Sequence, residues 1–340
     1  MKMILLCYPA DEADLKLVSA AAPDHEIVVG SQDSVSPALQ NAEIFCGHIK
    51  SAVDWQAVTA KGNLKWIQSS AAGLDHCLVP AILNSDVAVS GASGLFADQV
   101  AAQAMALVYG LLRGLPVFFR NQLAKVFERI SLDDIRTRDV AVLGCGGNGQ
   151  RIARLLAGEC RKLVATDLFP SSVDHQGRYS VVHADETDQV LKESDIVICT
   201  LPLDASTTGF LDERRLNLIR PGGYLINVGR GKLVDEVALV SLLQSARLRG
   251  AGLDVFATEP LPESSPLWEM PNVILTPHVG AQSPTRNRDV TLLFCENLRR
   301  FNNRLPLINL VDKGLGMPRP ENRLETAWRS ADWATGRAIP

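Results

Sequence analysis

The sequence predicts an α/β protein made of two doubly wound parallel-sheet domains. Three observations carry that reading. Short apolar runs alternate with polar or helical pieces over residues 1–95, a second alternation starts near Asp139, and the later runs are continuously apolar. Such β-α alternation marks a parallel sheet, and continuous apolarity suits strands covered by helices on both faces.

The elements follow in order. Met3-Ile4-Leu5-Leu6-Cys7 reads as a buried first strand and is too short for the apolar core of a signal peptide. Ile27-Val28-Val29, Ile44-Phe45-Cys46, Leu64-Lys65-Trp66-Ile67 and Val87-Ala88-Val89 read as further strands. Residues 98–113, rich in Ala, Leu and Met, predict a long buried helix, with Pro116 marking its end. Val140–Leu143, Leu163–Thr166, Ile196–Cys199, Tyr224–Val228, Gly250–Leu253 and Val273–Leu275 predict the second set of strands. Residues 311–340 hold three Gly, three Pro and two of the five Trp, with no apolar period. They read as a linker-like or subunit-wrapping tail, or as a partly disordered end.

Composition narrows the function. A chain of 340 residues can bury a large core without staples. A formal net charge of −4 argues against nucleic acid or an anionic membrane as the main partner. Arg299, Arg300 and Arg304 read as a solvated helix face rather than a binding patch. The seven cysteines are odd in number and show no C-x-x-C pair, which points to a reducing, cytoplasmic setting. The six histidines show no metal-ligand spacing, so no metal is expected.

Gly144-Cys145-Gly146-Gly147-Asn148-Gly149 is a G-x-G-x-x-G that follows a predicted strand and opens an amphipathic helix. In that context it is a dinucleotide fingerprint, and it makes the second domain Rossmann-like. Gly144 allows the tight turn, Gly146 the approach of a pyrophosphate, and Gly149 close helix–strand packing. Asp167 ends the next strand, 18 residues past Gly149. A carboxylate there suits an adenosine ribose and repels a 2′-phosphate, which favours NAD over NADP. The bland alternative is that Asp167 caps a turn.

Three later strands each end in a polar group: Arg230 in Asn227-Val228-Gly229-Arg230-Gly231, Asp254 and Glu259 in Asp254–Pro260, and His278 in Thr276-Pro277-His278-Val279-Gly280. Open α/β sheets bind ligands at those strand ends. Reduction of a 2-oxo acid needs a cation for the carboxylate and a proton donor for the carbonyl oxygen, and a His held by a carboxylate is a suitable donor. Singly, each of these residues is more often a salt-bridge partner, a surface turn or a structural histidine. Their joint placement beside the fingerprint is what points to catalysis.

Taken together, these motifs resemble the D-isomer-specific 2-hydroxyacid dehydrogenase family, which includes glyoxylate/hydroxypyruvate reductases, D-lactate dehydrogenases and phosphoglycerate dehydrogenases. The resemblance spans about residues 40–310 and is strongest from Val140 to Gly280. Thr200-Leu201-Pro202-Leu203, Thr207-Thr208-Gly209 and Leu218–Gly223 support it. It implies that Arg230 binds the substrate carboxylate and keto oxygen, that Glu259 pairs with His278, and that His278 passes the proton. It implies that Asp254 holds the nicotinamide carboxamide, and that Gly147, Asn148, Thr200, Val228 and Gly280 line the cofactor. Ser70-Ala71-Ala72-Gly73 is similar to the loop whose N–H groups grip the substrate carboxylate, with Ala72 and Gly73 as its contacts. The implied layout is discontinuous. Residues 1–97 plus 288–340 would form a flavodoxin-like substrate domain and residues 98–287 the NAD-binding domain, in a homodimer.

Two departures stand out. Val100-Ala101-Ala102 replaces the Val-Ala-Glu common in the family, and Ala281-Gln282-Ser283-Pro284 reshapes the segment after His278. A formate dehydrogenase would pair the His with Gln, which Glu259 opposes. A non-catalytic NAD-sensing protein of the corepressor type would keep the same residues. For the substrate side chain, Lys50 and His48 are the candidates from residues 45–50, 69–74 and 281–284, and both could simply face solvent. A small 2-oxo acid such as glyoxylate or hydroxypyruvate is expected.

Overall fold

The computed structural model describes residues 2–173, 175 and 177–324. The chain divides into two compact units: residues through Phe96 with those from Ser283 onward, and Ala97–Gln282.

The first unit is built on five parallel strands: β1 (Lys2–Cys7), β2 (His25–Val29), β3 (Ile44–Gly47), β4 (Trp66–Ser69) and β5 (Ala88–Ser90). Their order is β2-β1-β3-β4-β5, that of a flavodoxin-like sheet. Every residue of β3 and β4 is buried, which explains their unbroken apolar character. One face packs on helix Arg286–Asn302, where Trp66 meets Phe294 with ring centroids 5.4 Å apart. The other holds Leu5, Phe45, Ile67, Leu39 and Val58. Helix Glu12–Ala21 lies against Arg286–Asn302, and Arg288 Nη1 pairs with Asp14 Oδ1 at 2.9 Å. On this helix Arg299 and Arg300, read from sequence as a solvated face, both pair with Glu296 at 2.7 Å.

Residues 311–324 are not linker-like. Val311–Asp312 (β13) and Met317–Pro318 (β14) form a small antiparallel hairpin. Buried Asn309 anchors the entry to it, donating through Nδ2 to the carbonyls of Gly91 (3.0 Å) and Ser93 (2.9 Å) and accepting from the Leu324 N–H at 2.8 Å. Lacking an apolar period, these residues are held instead by side chain–backbone bonds. The rest of the expected tail, 325–340, lies outside the described residues.

The second unit has seven parallel strands: β6 (Asp139–Leu143), β7 (Lys162–Asp167), β8 (Ser180–His183), β9 (Ile196–Cys199), β10 (Gly223–Asn227), β11 (Leu248–Leu253) and β12 (Val273–Leu275). Their order is β12-β11-β10-β9-β6-β7-β8. The chain therefore runs outward from β6 to β8, returns to the other side of β6, and continues to β12. Between β6 and β9 the winding reverses, which is where such sheets open a crevice for a ligand.

Helix Ala97–Leu112 covers one face of this sheet. At Gly252 in β11 a Cβ would come within 2.9 Å of the Leu107 Cβ, so the glycine permits the close approach. After Gly114, at φ +67°, a second helix runs Leu115–Ala124. Pro116 stands in its first turn, so it opens this helix instead of marking the end of the one before, because proline is tolerated where the N–H has no intrahelical partner. No single helix among the described residues is long and apolar enough to cross a membrane.

Candidate active site

Strand register brings the candidate residues to one edge of the second unit. Asn227 pairs with Leu253, and Leu253 with Leu275, so β10, β11 and β12 end side by side. Backbone bonds continue the alignment one residue further: Thr200 N–H to Leu143 O, Val228 to Cys199, Asp254 to Asn227 and Thr276 to Leu253, at 2.9, 3.2, 3.0 and 3.0 Å.

Glu259 and His278 are in contact, with Nδ1 of the imidazole 2.8 Å from Oε2 of the carboxylate. The other carboxylate oxygen of Glu259 accepts the Phe256 N–H at 3.0 Å, which orients it. Both side chains are substantially exposed, at 44% for His278 and 36% for Glu259, so the imidazole is reachable by a small molecule. A carboxylate acceptor at this distance favours the tautomer that carries its proton on Nδ1.

His278 has a left-handed backbone, φ +53°, which a branched or bulky side chain seldom adopts. Asp254 holds it there. Its backbone carbonyl accepts the His278 N–H at 2.8 Å. Its carboxylate accepts from Thr276 Oγ1 (2.6 Å), Val279 N–H (3.0 Å) and Gly280 N–H (2.8 Å). A Cβ on Gly280 would fall 2.9 Å from that carboxylate. Asp254 is thus a buried organiser of the His278 loop, a task its sequence position did not disclose. Gln103 extends the network by donating to Thr276 Oγ1 at 2.9 Å.

Arg230 follows β10, one strand over. Asn227 shapes its turn, accepting the Gly229 N–H at 3.1 Å and donating to the Arg230 carbonyl at 2.9 Å. The half-buried guanidinium donates through Nη1 to the Gly229 carbonyl at 2.8 Å. Asn227, Thr276 and Gln103 are the positioning groups that sequence reasoning passed over. The first two stood inside the quoted motifs, while Gln103 lies 173 positions from its partner and carried no local signal.

The dinucleotide fingerprint has the backbone its glycines suggest. Gly144 sits at φ +86°, and a Cβ on Gly149 would strike the Gly144 carbonyl at 1.9 Å, while one on Gly146 would meet open space. Helix Gly147–Leu156 starts with no side-chain cap, leaving first-turn N–H groups for an anion. Thr200 Oγ1 bonds the carbonyls of Leu143 (3.1 Å) and Gly144 (2.7 Å), tying the end of β9 to the turn. These features fit a dinucleotide. Asp167 is buried, accepting the Cys145 N–H at 3.1 Å and the Phe169 N–H at 2.8 Å. It therefore caps a turn and secures the fingerprint loop, whatever else it binds.

Ala72 and Gly73 belong to the first unit, in the loop after β4. Ser69 Oγ accepts the Ala71 N–H at 3.1 Å and donates to the Ala71 carbonyl at 3.1 Å. His76 Nε2 lies 3.4 Å from the same hydroxyl, and its ring packs on His48 with centroids 4.2 Å apart. Lys50 is exposed, its N–H donating to Gln32 Oε1 at 2.7 Å. All seven cysteines are free thiols, and burial pushes those of Cys77, Cys199 and Cys295 up to about 12, so they are poor nucleophiles. Among the described residues no three His, Cys, Asp or Glu side chains gather to hold a metal ion.

Residues 105–280 match the family described as D-isomer specific 2-hydroxyacid dehydrogenase, NAD binding domain. A D-3-phosphoglycerate dehydrogenase of Mycobacterium bovis is 31% identical over 254 residues, 74% of this chain and 48% of its own length. This chain thus spans about half of that relative. A glyoxylate/hydroxypyruvate reductase B of Pectobacterium carotovorum is 29% identical over 275 residues, 77% of this chain and 83% of its own. The crystal structure of a D-isomer specific 2-hydroxyacid dehydrogenase from Xanthobacter autotrophicus Py2, in complex with NADPH and MES, superposes with TM-score 0.79 at 28% identity, covering 93% of this chain and 100% of that one.

Proposed function

Since the chain belongs to the D-isomer-specific 2-hydroxyacid dehydrogenase family of nicotinamide-dependent oxidoreductases, we propose that it reduces a small 2-oxo acid to the D-2-hydroxy acid with NADH. The observation that carries this reading is the 2.8 Å contact of His278 Nδ1 with Glu259, set beside the Asp254-held loop.

The nicotinamide, when bound, supplies the hydride to the carbonyl carbon. His278 gives the carbonyl oxygen its proton from Nε2, and takes it back in the oxidative direction. Glu259 keeps the ring in the tautomer that makes this possible and stabilises it when charged. Arg230 binds the carboxylate and keto oxygen of the substrate, a match of planar cation to planar anion. Gly146, Gly147 and Asn148 receive the pyrophosphate on the turn that Gly144 and Gly149 make possible, with Thr200, Val228, Asp254 and Gly280 along the remainder of the cofactor. Ala72 and Gly73 hold the substrate carboxylate by their N–H groups.

The Asp167 carboxylate at the end of β7 supports NAD, since a 2′-phosphate beside it would meet like charge. The neighbour from Xanthobacter was solved with NADPH, so the two cofactors must be compared directly. Seven free thiols support a cytoplasmic setting. An apolar surface at Phe119, Leu123 and Phe127, exposed by 59%, 85% and 100%, supports a homodimer.

The test is a panel of 2-oxo acids with NADH and with NADPH, following cofactor oxidation. Turnover of glyoxylate, hydroxypyruvate or another small member, faster with NADH, is the expected result. No turnover of any member would favour a non-catalytic NAD-sensing role and end the enzyme reading.

A further inference from the structure

The loop after β4 has an unusual set of donors. The Ser70 N–H bonds the Gly47 carbonyl at 3.0 Å, and the Ala71 N–H bonds Ser69 Oγ at 3.1 Å. The next three N–H groups, of Ala72, Gly73 and Leu74, donate to no protein acceptor among the described residues. Successive amides of this kind form a seat for an anion. A carbonyl turned into such a seat would repel that anion, so the loop's oxygens must be kept out of it.

Arg286, the first residue of helix Arg286–Asn302, sits against this loop in the same unit. Its Nη2 donates to the Ser70 carbonyl at 3.3 Å, and its guanidinium lies 5.2 Å from the ring centroid of Phe96. Its Nε is buried without a partner, and no carboxylate among the described residues pairs with it. Burial pulls the guanidinium below its ordinary value, yet an arginine in a protein keeps its charge. A half-buried cation without a counter-ion is costly, and an anion arriving nearby relieves that cost.

We propose that Arg286 is a positioning residue for the substrate carboxylate: it pins the Ser70 carbonyl away from the amide seat of Ala72–Leu74 and supplies that seat with its balancing positive charge. The inference rests on the reading of this loop as a carboxylate site, and it adds a second arginine to the one already assigned. Arg286 lies two residues beyond the 281–284 segment, and in sequence it is one of two arginines near its helix start.

Arg286→Gln and Arg286→Lys decide the matter, with thermal unfolding confirming that both fold. Arg286→Gln should raise KM for the 2-oxo acid by about 10- to 100-fold, the loss of a charged hydrogen-bonding group, while kcat changes by less than about 3-fold. NADH affinity should be unaffected, and Arg286→Lys should recover part of the KM. Oxamate binding in the presence of NADH, measured by calorimetry, reads the seat without turnover and should weaken in parallel. An unchanged KM, or a Lys variant as poor as Gln with kcat falling alongside, would overturn the proposal. So would equal oxamate affinity in wild type and Arg286→Gln, or no oxamate binding by the wild type, whether or not any 2-oxo acid is reduced.

Discussion

His278 occupies a backbone region that costs a non-glycine residue roughly 1 kcal/mol or more, and its neighbours enforce it. Asp254 spends a carbonyl and both carboxylate oxygens on residues 276–280, and Thr276 is braced in turn by Gln103. Such pre-organisation suits a proton donor whose ring must meet a reacting oxygen in one orientation. Replacing His278 with Ala should therefore lower kcat by about 10²–10⁴, the usual weight of a general acid/base, and leave NADH affinity nearly unchanged in a fluorescence titration. Turnover close to wild type in that variant would remove His278 from the mechanism. Arg230, Glu259 and His278 were singled out in the sequence because each lies within a short motif that follows an apolar strand. The network behind them was not, because its members meet only when β10, β11 and β12 come into register.

At the level of the element, β6 carries a task at each end. Its last residue leads into the glycine turn proposed to receive the dinucleotide. Its first, Asp139, anchors the opposite edge of the sheet: Arg161 reaches both carboxylate oxygens at 2.7 Å and Arg220 adds a bond of 2.8 Å. The bonds from Arg161, and then from Arg220, hold the Asp139 carboxyl down to about 2 although burial opposes them. A depressed carboxyl stabilises the fold at pH above its unfolded value of roughly 3.9, and that contribution is lost as pH falls through about 2. Both arginines are partly solvated, so the contribution is on the order of 1–2 kcal/mol. Asp139→Asn should accordingly lower the thermal midpoint near neutral pH, with the gap to wild type closing between about pH 4 and pH 2. A gap that stays constant across that range would mean the side chain's shape, not its charge, matters. The strands themselves were readable from apolar runs. The edge strand β8 escaped, because Ser180-Val181-Val182-His183 is short and only partly buried.

For the whole molecule, the apolar surface on and after helix Leu115–Ala124 asks for a cover. Phe127 is fully exposed, and a groove of about 610 Å³ beside it is lined by Phe118, Val126, Ile130 and Leu132 among others. A monomer seldom leaves such side chains clustered in water, so a second copy is the proposed occupant. Light scattering should find the wild type dimeric, and Leu123→Glu with Phe127→Asp should shift it toward the monomer. A monomeric wild type, or a double variant of unchanged mass, would reject the dimer. Sequence could supply the apolar residues of this segment but not their exposure, since Phe118 and Phe119 read alike until the fold half-covers the first and leaves the second in solvent.

Periodic apolarity, the glycine fingerprint and the three strand-end motifs were enough to determine the fold class, the nicotinamide dinucleotide and the candidate catalytic groups. Each is written within a few consecutive residues, where local backbone geometry and burial leave a direct trace. Tertiary structure alone decided that Asp254 serves the His278 loop, that Asp167 secures the fingerprint turn, that residues 311–324 fold back as a hairpin, and that Arg286 stands behind the Ser70–Gly73 loop. Apart from the local hairpin, which is held in place by the bonds of Asn309 to Gly91 and Ser93, these relations join residues far apart along the chain, and a contact of that kind exists only once packing has chosen which surfaces meet.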